Sequence, residues 1–74
     1  MNLSELKKGE KAKVSGYAPG NPAYRAKLLA LGITRGASIT VVNQAPLGDP
    51  IGIEVRGFSL SLRRAEAAIV EVSK

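Results

Sequence analysis

The sequence contains no cysteine and no histidine. The absence of cysteine excludes disulfide bonds and thiolate metal sites. The absence of histidine removes the commonest metal ligand and the usual general base near neutral pH. No apolar run approaches the roughly 20 residues that a membrane-spanning helix needs, and the N-terminus lacks the pattern of a signal peptide. We therefore expect a soluble cytoplasmic protein that carries no cofactor.

Aromatic residues are also scarce, with one phenylalanine, two tyrosines and no tryptophan. Such a chain has no ladder of rings on which nucleic-acid bases would stack. Eleven Lys and Arg against six Asp and Glu give a formal net charge of +5. This charge suits an acidic partner such as nucleic acid or an anionic membrane surface. It also lies within the range of about 2 to 8 that keeps a small domain in solution, and the basic residues are scattered, so charge alone defines no partner.

The alternation of apolar and polar residues predicts a mainly β fold. Seventy-four residues suffice for one small domain with a thin core, which we place at residues 1–74. The strand period recurs in the segments Lys11–Tyr17, Ala37–Gln44, Ile51–Arg56, Phe58–Leu62 and Ile69–Val72. A one-turn helix predicted at residues 63–66 precedes the last strand, as is typical of SH3-like barrels. We therefore predict a small five-stranded SH3-like barrel, whose closure would remove the exposed strand edges.

One segment departs from the β pattern and is predicted to form an α-helix at about residues 22–31. Asn21 suits the N-cap and Pro22 the first helical position. Gly32 suits the left-handed position that closes a helix, and the apolar Ile33 follows it. The face predicted to pack on the barrel carries Tyr24, Leu28 and Leu31. We expect this helix to lie across one opening of the barrel.

The connection between the second and third strands contains a leucine that turn chemistry does not explain. It reads Ala45-Pro46-Leu47-Gly48-Asp49-Pro50. Proline, glycine and aspartate are common turn residues, whereas a turn tip does not call for leucine. Leu47 therefore either folds back onto the helix or stays exposed as an apolar anchor for a partner, and the sequence leaves both alternatives open.

Residues 22–36, PAYRAKLLALGITRG, resemble the helix signature of the FeoA family, ferrous iron transport protein A. The opening at residues 3–9, the turn at 45–51 and the tail at 60–67 match the same family in the expected order. Each pattern alone is weak, but together they span nearly the whole chain. The resemblance implies an SH3-like barrel that serves ferrous iron uptake as a non-enzymatic cytoplasmic accessory protein. It also implies a partner, the membrane iron transporter FeoB, which carries a cytoplasmic GTP-binding domain.

Seven residues are our candidates for the surface that binds this partner. They are Tyr24, Arg25, Leu29, Val42, Leu47, Asp49 and Arg63. The four apolar members would line a groove between the helix and the barrel, and SH3-like barrels commonly bind peptides in such grooves.

The two arginines in this set have two interpretations each. A correctly placed arginine can accelerate GTP hydrolysis by several orders of magnitude, so Arg25 or Arg63 would serve the transporter's GTPase. Alternatively, Arg25 covers the helix flank with its methylene stem and Arg63 pairs with a carboxylate.

Other functions are less well supported by the residues. The six carboxylates are dispersed, so we expect no metal site, and no nucleophile is paired with a base for catalysis. One alternative is a basic SH3-like barrel that binds nucleic acid or the ribosome, which would show a steep loss of binding with salt. Another is a detached peptide-binding regulatory domain of an iron-dependent repressor, whose C-terminal SH3-like domain is a close relative of the FeoA family.

Overall fold

The computed structural model describes residues 1–47 and 49–74, and it contains every element predicted above. A short 3-10 helix at Leu3–Glu5 precedes the first strand. The elements that follow are β1 (Lys11–Tyr17), α1 (Pro22–Ala30), β2 (Ser38–Gln44), β3 (Ile51–Val55), β4 (Phe58–Leu62), α2 (Arg64–Ala67) and β5 (Val70–Ser73). The ends of these elements differ from the predicted ends by one residue at most, because residues next to each end in the sequence determine where the element stops.

The five strands form one antiparallel sheet in the order β4-β3-β2-β1-β5. The register shifts in β1 between Val14 and Gly16, and in β2 between Val41 and Asn43. Such bulges bend a sheet and increase its twist, which allows the sheet to wrap around one core. The shift in β1 falls beside Gly16, which has no side chain to pack, and glycine in a strand often marks such a bulge.

In the described part of the chain β4 and β5 do not pair with each other, so strand pairing alone does not close the predicted barrel and does not remove every strand edge. The outer edge of β5 is covered, because Val72 N donates to Met1 O at 2.9 Å and Asn2 forms a β-bridge with Glu71. The outer edge of β4 pairs with no strand in the described part of the chain. The short helix α2 joins β4 to β5 and contacts both α1 and the 3-10 helix, so helices rather than a strand ladder complete this side of the core.

The core is built from the inward faces of the strands together with apolar residues of the helices. In β2, Val41 is fully buried whereas Val42 is 40% exposed, as the alternation predicted. On α1, Leu28 is fully buried, but Tyr24 and Leu31 are only half-buried. The helix therefore packs through a narrower stripe than its sequence predicted.

Both ends of α1 have the predicted structure. Asn21 Oδ1 accepts a hydrogen bond from Ala23 N at 2.9 Å and so caps the first turn. At the other end Gly32 has a φ of 87°, which suits glycine because a side chain would be strained there. Ile33 N donates to Leu28 O at 3.0 Å, the long hydrogen bond of a Schellman motif. These bonds set where the helix begins and where it ends.

Candidate partner-binding surface

An ion pair joins α1 to α2. Lys27 Nζ donates to Glu66 Oε2 at 2.7 Å, and Arg63 N donates to Glu66 Oε1 at 2.9 Å. The Glu66 side chain is 3% exposed and the Lys27 side chain 51%. The hydrogen bond from Lys27 lowers the pKa of Glu66. Burial opposes this lowering, and the hydrogen bond from the Arg63 amide adds to it. Glu66 is therefore ionised at neutral pH and holds the two helices together.

Sequence reasoning missed this role of Glu66. The available signal was its place three residues after Arg63, since a glutamate there reaches back to the amide at the start of a helix. The expectation that the Arg63 side chain pairs with a carboxylate is not met among the residues that the structure describes. Lys27, instead of Arg63, forms the ion pair with Glu66, because α1 packs against α2. Arg63 and its neighbour Arg64 are both exposed, which leaves two cationic side chains at the start of α2.

The turn between β2 and β3 lies against the start of α2. Asp49 Oδ1 accepts from Arg64 N at 3.4 Å. Leu47, on the same turn, is 85% exposed. The alternative in which Leu47 folds back onto the helix is therefore wrong. Gly48, which we assigned to the turn, lies outside the described residues.

The apolar groove remains a prediction. Leu29 is 44% exposed and Val42 40% exposed, whereas Tyr24 is half-buried. Tyr24 and Leu29 are five positions apart, which separates their directions by about 140° around the helix axis. Neither of the two cavities described below is lined by these residues or by Leu47.

Arg25 lies over the ring of Tyr17, with the guanidinium carbon 5.6 Å from the ring centroid. This is the geometry of a cation–π contact. Burial raises the pKa of Tyr17, and the charge of Arg25 opposes that rise. Arg25 also borders a cavity of about 240 Å³, together with Ala18, Pro19, Gly20, Asn21, Pro22 and Ile69. The contact with Tyr17 favours the covering role that we considered for Arg25.

A second cavity, of about 360 Å³, is basic. Its charged lining residues are Lys11, Lys13 and Lys74, which we call the lysine patch. Lys74 forms an ion pair with Glu10. The hydrogen bond from Lys74 is the main cause that lowers the pKa of Glu10, and the bond from the Lys7 amide adds to it. No residue of this patch was among the seven candidates.

Within residues 1–47 and 49–74 no three acidic side chains come close enough together to hold a metal ion. In the same part of the chain no helix has the length and apolarity to cross a membrane. An antiparallel five-stranded sheet around one core, completed by short helices, defines a small SH3-like domain.

Comparison with known proteins identifies the family. The FeoA domain model matches residues 1–74. The FeoA protein from Chlorobium tepidum is 47% identical and superposes with a TM-score of 0.87, over 97% of this chain and 68% of that one. The zinc complex of FeoA from Stenotrophomonas maltophilia, described as a prokaryotic SH3 domain protein, is 32% identical with a TM-score of 0.86, over 99% and 89%. The chain therefore belongs to the FeoA domain family of ferrous iron transport and has the predicted SH3-like fold.

One relative carries the transporter in the same polypeptide. The Fe(2+) transport protein A/Fe(2+) transporter FeoB fusion protein of Porphyromonas gingivalis is 40% identical over 72 residues. The match covers 97% of this chain, which spans only 8% of that relative's length. FeoA is not a known enzyme family.

Proposed function

We propose that this chain is a non-enzymatic accessory protein of ferrous iron uptake that binds the cytoplasmic face of FeoB and modulates the transporter. The observation that supports it is the Porphyromonas gingivalis fusion, in which a region similar to nearly all of this chain is joined to FeoB. Joining two partners covalently raises their effective concentration without any new contact. Such a fusion is useful where the two parts bind each other, and we propose the same association here between separate chains, with residues 1–74 acting as one domain.

The proposed contact centres on Leu47. An apolar side chain that is 85% exposed in a turn beside a proline is an anchor that needs little ordering when it binds. Asp49 ties this turn to the start of α2, where Arg63 and Arg64 are exposed. These arginines would attract an acidic face of the transporter and raise the association rate more than the affinity.

Modulation requires that the chain binds one conformation of the transporter more tightly than another. We propose that binding shifts the transporter's populations in this way. The contact between Arg25 and Tyr17 supports this mechanism over donation of Arg25 to the GTPase. Removal of the Arg25 side chain should then leave any effect on GTP turnover largely intact.

The test is a binding measurement between the purified chain and FeoB of the same host in lipid nanodiscs, with GTP turnover recorded in parallel. Leu47→Asp should weaken binding at least about tenfold because it places a charge at the anchor. Lys11→Ala, in the lysine patch, is the matched control and should bind normally. The proposal fails if the unaltered chain binds neither the GTP-bound nor the GDP-bound state of FeoB.

The lysine patch is the observation that favours the alternative of a nucleic-acid or ribosome-binding barrel. Charge-driven binding to nucleic acid weakens steeply with salt, because each phosphate contact releases counterions. We expect no retention of RNA or ribosomes at moderate salt. Retention that is lost on Lys11→Ala and on raising the salt would favour the alternative.

A further inference from the structure

The two outer edges of the sheet differ in their protection. Residues Met1 and Asn2 cover the edge of β5. Proteins usually protect a free edge with a charged residue, a proline, a bulge or a covering segment. Strand β4 reads Phe58-Ser59-Leu60-Ser61-Leu62, with no charge and no proline, and its register with β3 is regular. In the described part of the chain, the edge of β4 therefore lacks all of these protections.

The turn geometry identifies which backbone groups face outward. The β3–β4 hairpin turns through Arg56 and Gly57, with φ values of 53° and 81°, as in a type I′ turn. The residues that flank such a turn form a hydrogen-bonded pair, and bonding then alternates along the strand. Because of this alternation, the backbone N–H and C=O groups of Phe58, Leu60 and Leu62 point toward β3. The N–H and C=O groups of Ser59 and Ser61 point away from β3, and no described residue bonds to them.

Side chains beside this edge add an apolar contact. Phe58 is 69% exposed, and Leu60, on the same face of the strand, is half-buried. A strand added to this edge would bring its own side chains alongside both. Aromatic side chains that pair across neighbouring strands stabilise a sheet. The edge thus combines a free backbone ladder with an exposed ring, which are the elements of β-strand addition.

Charge distinguishes between the possible occupants. Arg56 precedes β4, and its guanidinium donates to Thr34 Oγ1 at 3.1 Å on the protein surface. Arg63 and Arg64 follow the strand, and all three arginines are exposed. The nearby carboxylates are those of Glu54, opposite Ser59 on β3, and Asp49, which accepts from the Arg64 amide. The arginines are thus at the two ends of the strand, while its middle is uncharged. This pattern complements an extended segment with an uncharged middle and acidic ends.

A second copy of the chain fits less well. If two β4 strands paired in antiparallel fashion with Ser59 of one copy opposite Ser61 of the other, the turn that holds Arg56 of each copy would come near the start of α2 of the other, with Arg63 and Arg64. Like charges brought close together repel, and each copy also carries a net charge of +5. The arginines therefore favour an acidic partner over self-association.

We propose that the outer edge of β4 binds an extended, acidic-ended segment of a partner protein by β-strand addition. Ser59 and Ser61 supply the backbone hydrogen bonds, Phe58 supplies the apolar contact, and the flanking arginines bind the acidic ends. This inference goes beyond binding at Leu47 and does not depend on which protein contributes the segment.

The test is an NMR titration of the ¹⁵N-labelled full chain with a blocked synthetic peptide of alternating valine and threonine that carries aspartate at both ends. We expect the largest amide shifts at Ser59 and Ser61, and slowed hydrogen exchange of the same two amides. Ser61→Pro removes one outward N–H without affecting a bond to β3. It should weaken binding roughly three- to tenfold, the effect of one lost hydrogen bond, whereas the control Ser61→Thr keeps the N–H and should bind normally.

Further arms keep the test decisive. A peptide with lysine in place of aspartate should bind several-fold more weakly, and Phe58→Ser provides a second variant if Ser61→Pro does not fold. The proposal is overturned if the peptide causes no shifts, if it shifts only the lysine patch, or if Ser61→Pro and Phe58→Ser both bind normally. Shifts at Ser59 and Ser61 that depend on protein concentration without peptide would also overturn it, by assigning the edge to a second copy. Because the probe is synthetic, failure here leaves the FeoB measurement with Leu47→Asp unaffected.

Discussion

Replacing Lys27 with methionine should destabilise the protein by about 2 kcal/mol at neutral pH. The substitution removes the ammonium but keeps an unbranched stem of good helix propensity. It leaves the carboxylate of Glu66, 3% exposed, with the Arg63 amide as its remaining donor. Breaking a fully buried ion pair in this way costs about 3–5 kcal/mol. We expect a smaller loss because Lys27 is 51% exposed, so water reaches part of the site.

Urea unfolding at pH 7, followed by far-UV circular dichroism, measures this loss. With a slope near 1 kcal/mol per molar urea for a small protein, the midpoint should fall by about 2 M. Lys13→Met is the matched control, since this exposed lysine of β1 should change stability by no more than about 0.5 kcal/mol. Glu66→Gln added to Lys27→Met should recover part of the loss, because an amide is easier to bury than an unpaired carboxylate. An unchanged midpoint for Lys27→Met, or an equal fall for Lys13→Met, would refute the reasoning.

The same pair predicts how stability depends on pH. Folding lowers the pKa of Glu66 below its ordinary 4.5, chiefly through the hydrogen bond from Lys27. The stabilisation is therefore fully present above about pH 4.5 and is lost as the pH falls through the folded pKa. The difference in urea midpoint between the unaltered protein and Lys27→Met should shrink over this range, while the effect of Glu10 is common to both. A difference that stays constant into strong acid would assign the loss to packing rather than charge.

Three further substitutions test the core, the helix end and the exposed turn. Leu28→Ala removes a fully buried side chain and should cost about 2–5 kcal/mol in urea unfolding; a loss under about 1 kcal/mol would mean that α1 contributes little to the core. Gly32→Ala should cost about 1–2 kcal/mol, because its φ of 87° is strained for alanine while the nearest atom leaves room for the methyl group. Gly16→Ala, at ordinary φ, is its control and should cost clearly less by thermal unfolding. Leu47→Asp should leave the urea midpoint unchanged within about 0.5 kcal/mol and act only on FeoB binding; a large loss of stability would show that Leu47 packs.

Sequence by itself determined the elements and the family. Strand and helix periods differ, so alternation located β1 to β5 and the stripe around Leu28 located α1. Asn21 and Gly32 marked the ends of the helix, because caps depend on residues a few positions apart. The motifs spread over residues 3–67 then identified the FeoA family, since their order and spacing are specific even though each is weak.

Only the tertiary structure decided how these elements meet and which surfaces stay open. Lys27 and Glu66 lie 39 positions apart, and no local pattern encodes their pairing. The exposure of Leu47 was undecided by turn chemistry, since proline and glycine fix a backbone but do not direct a neighbouring side chain. The covered edge of β5 and the free edge of β4 follow from the path of the N-terminus and of α2. Such features arise from packing between distant segments, whereas the sequence periods report only which side of each segment is buried.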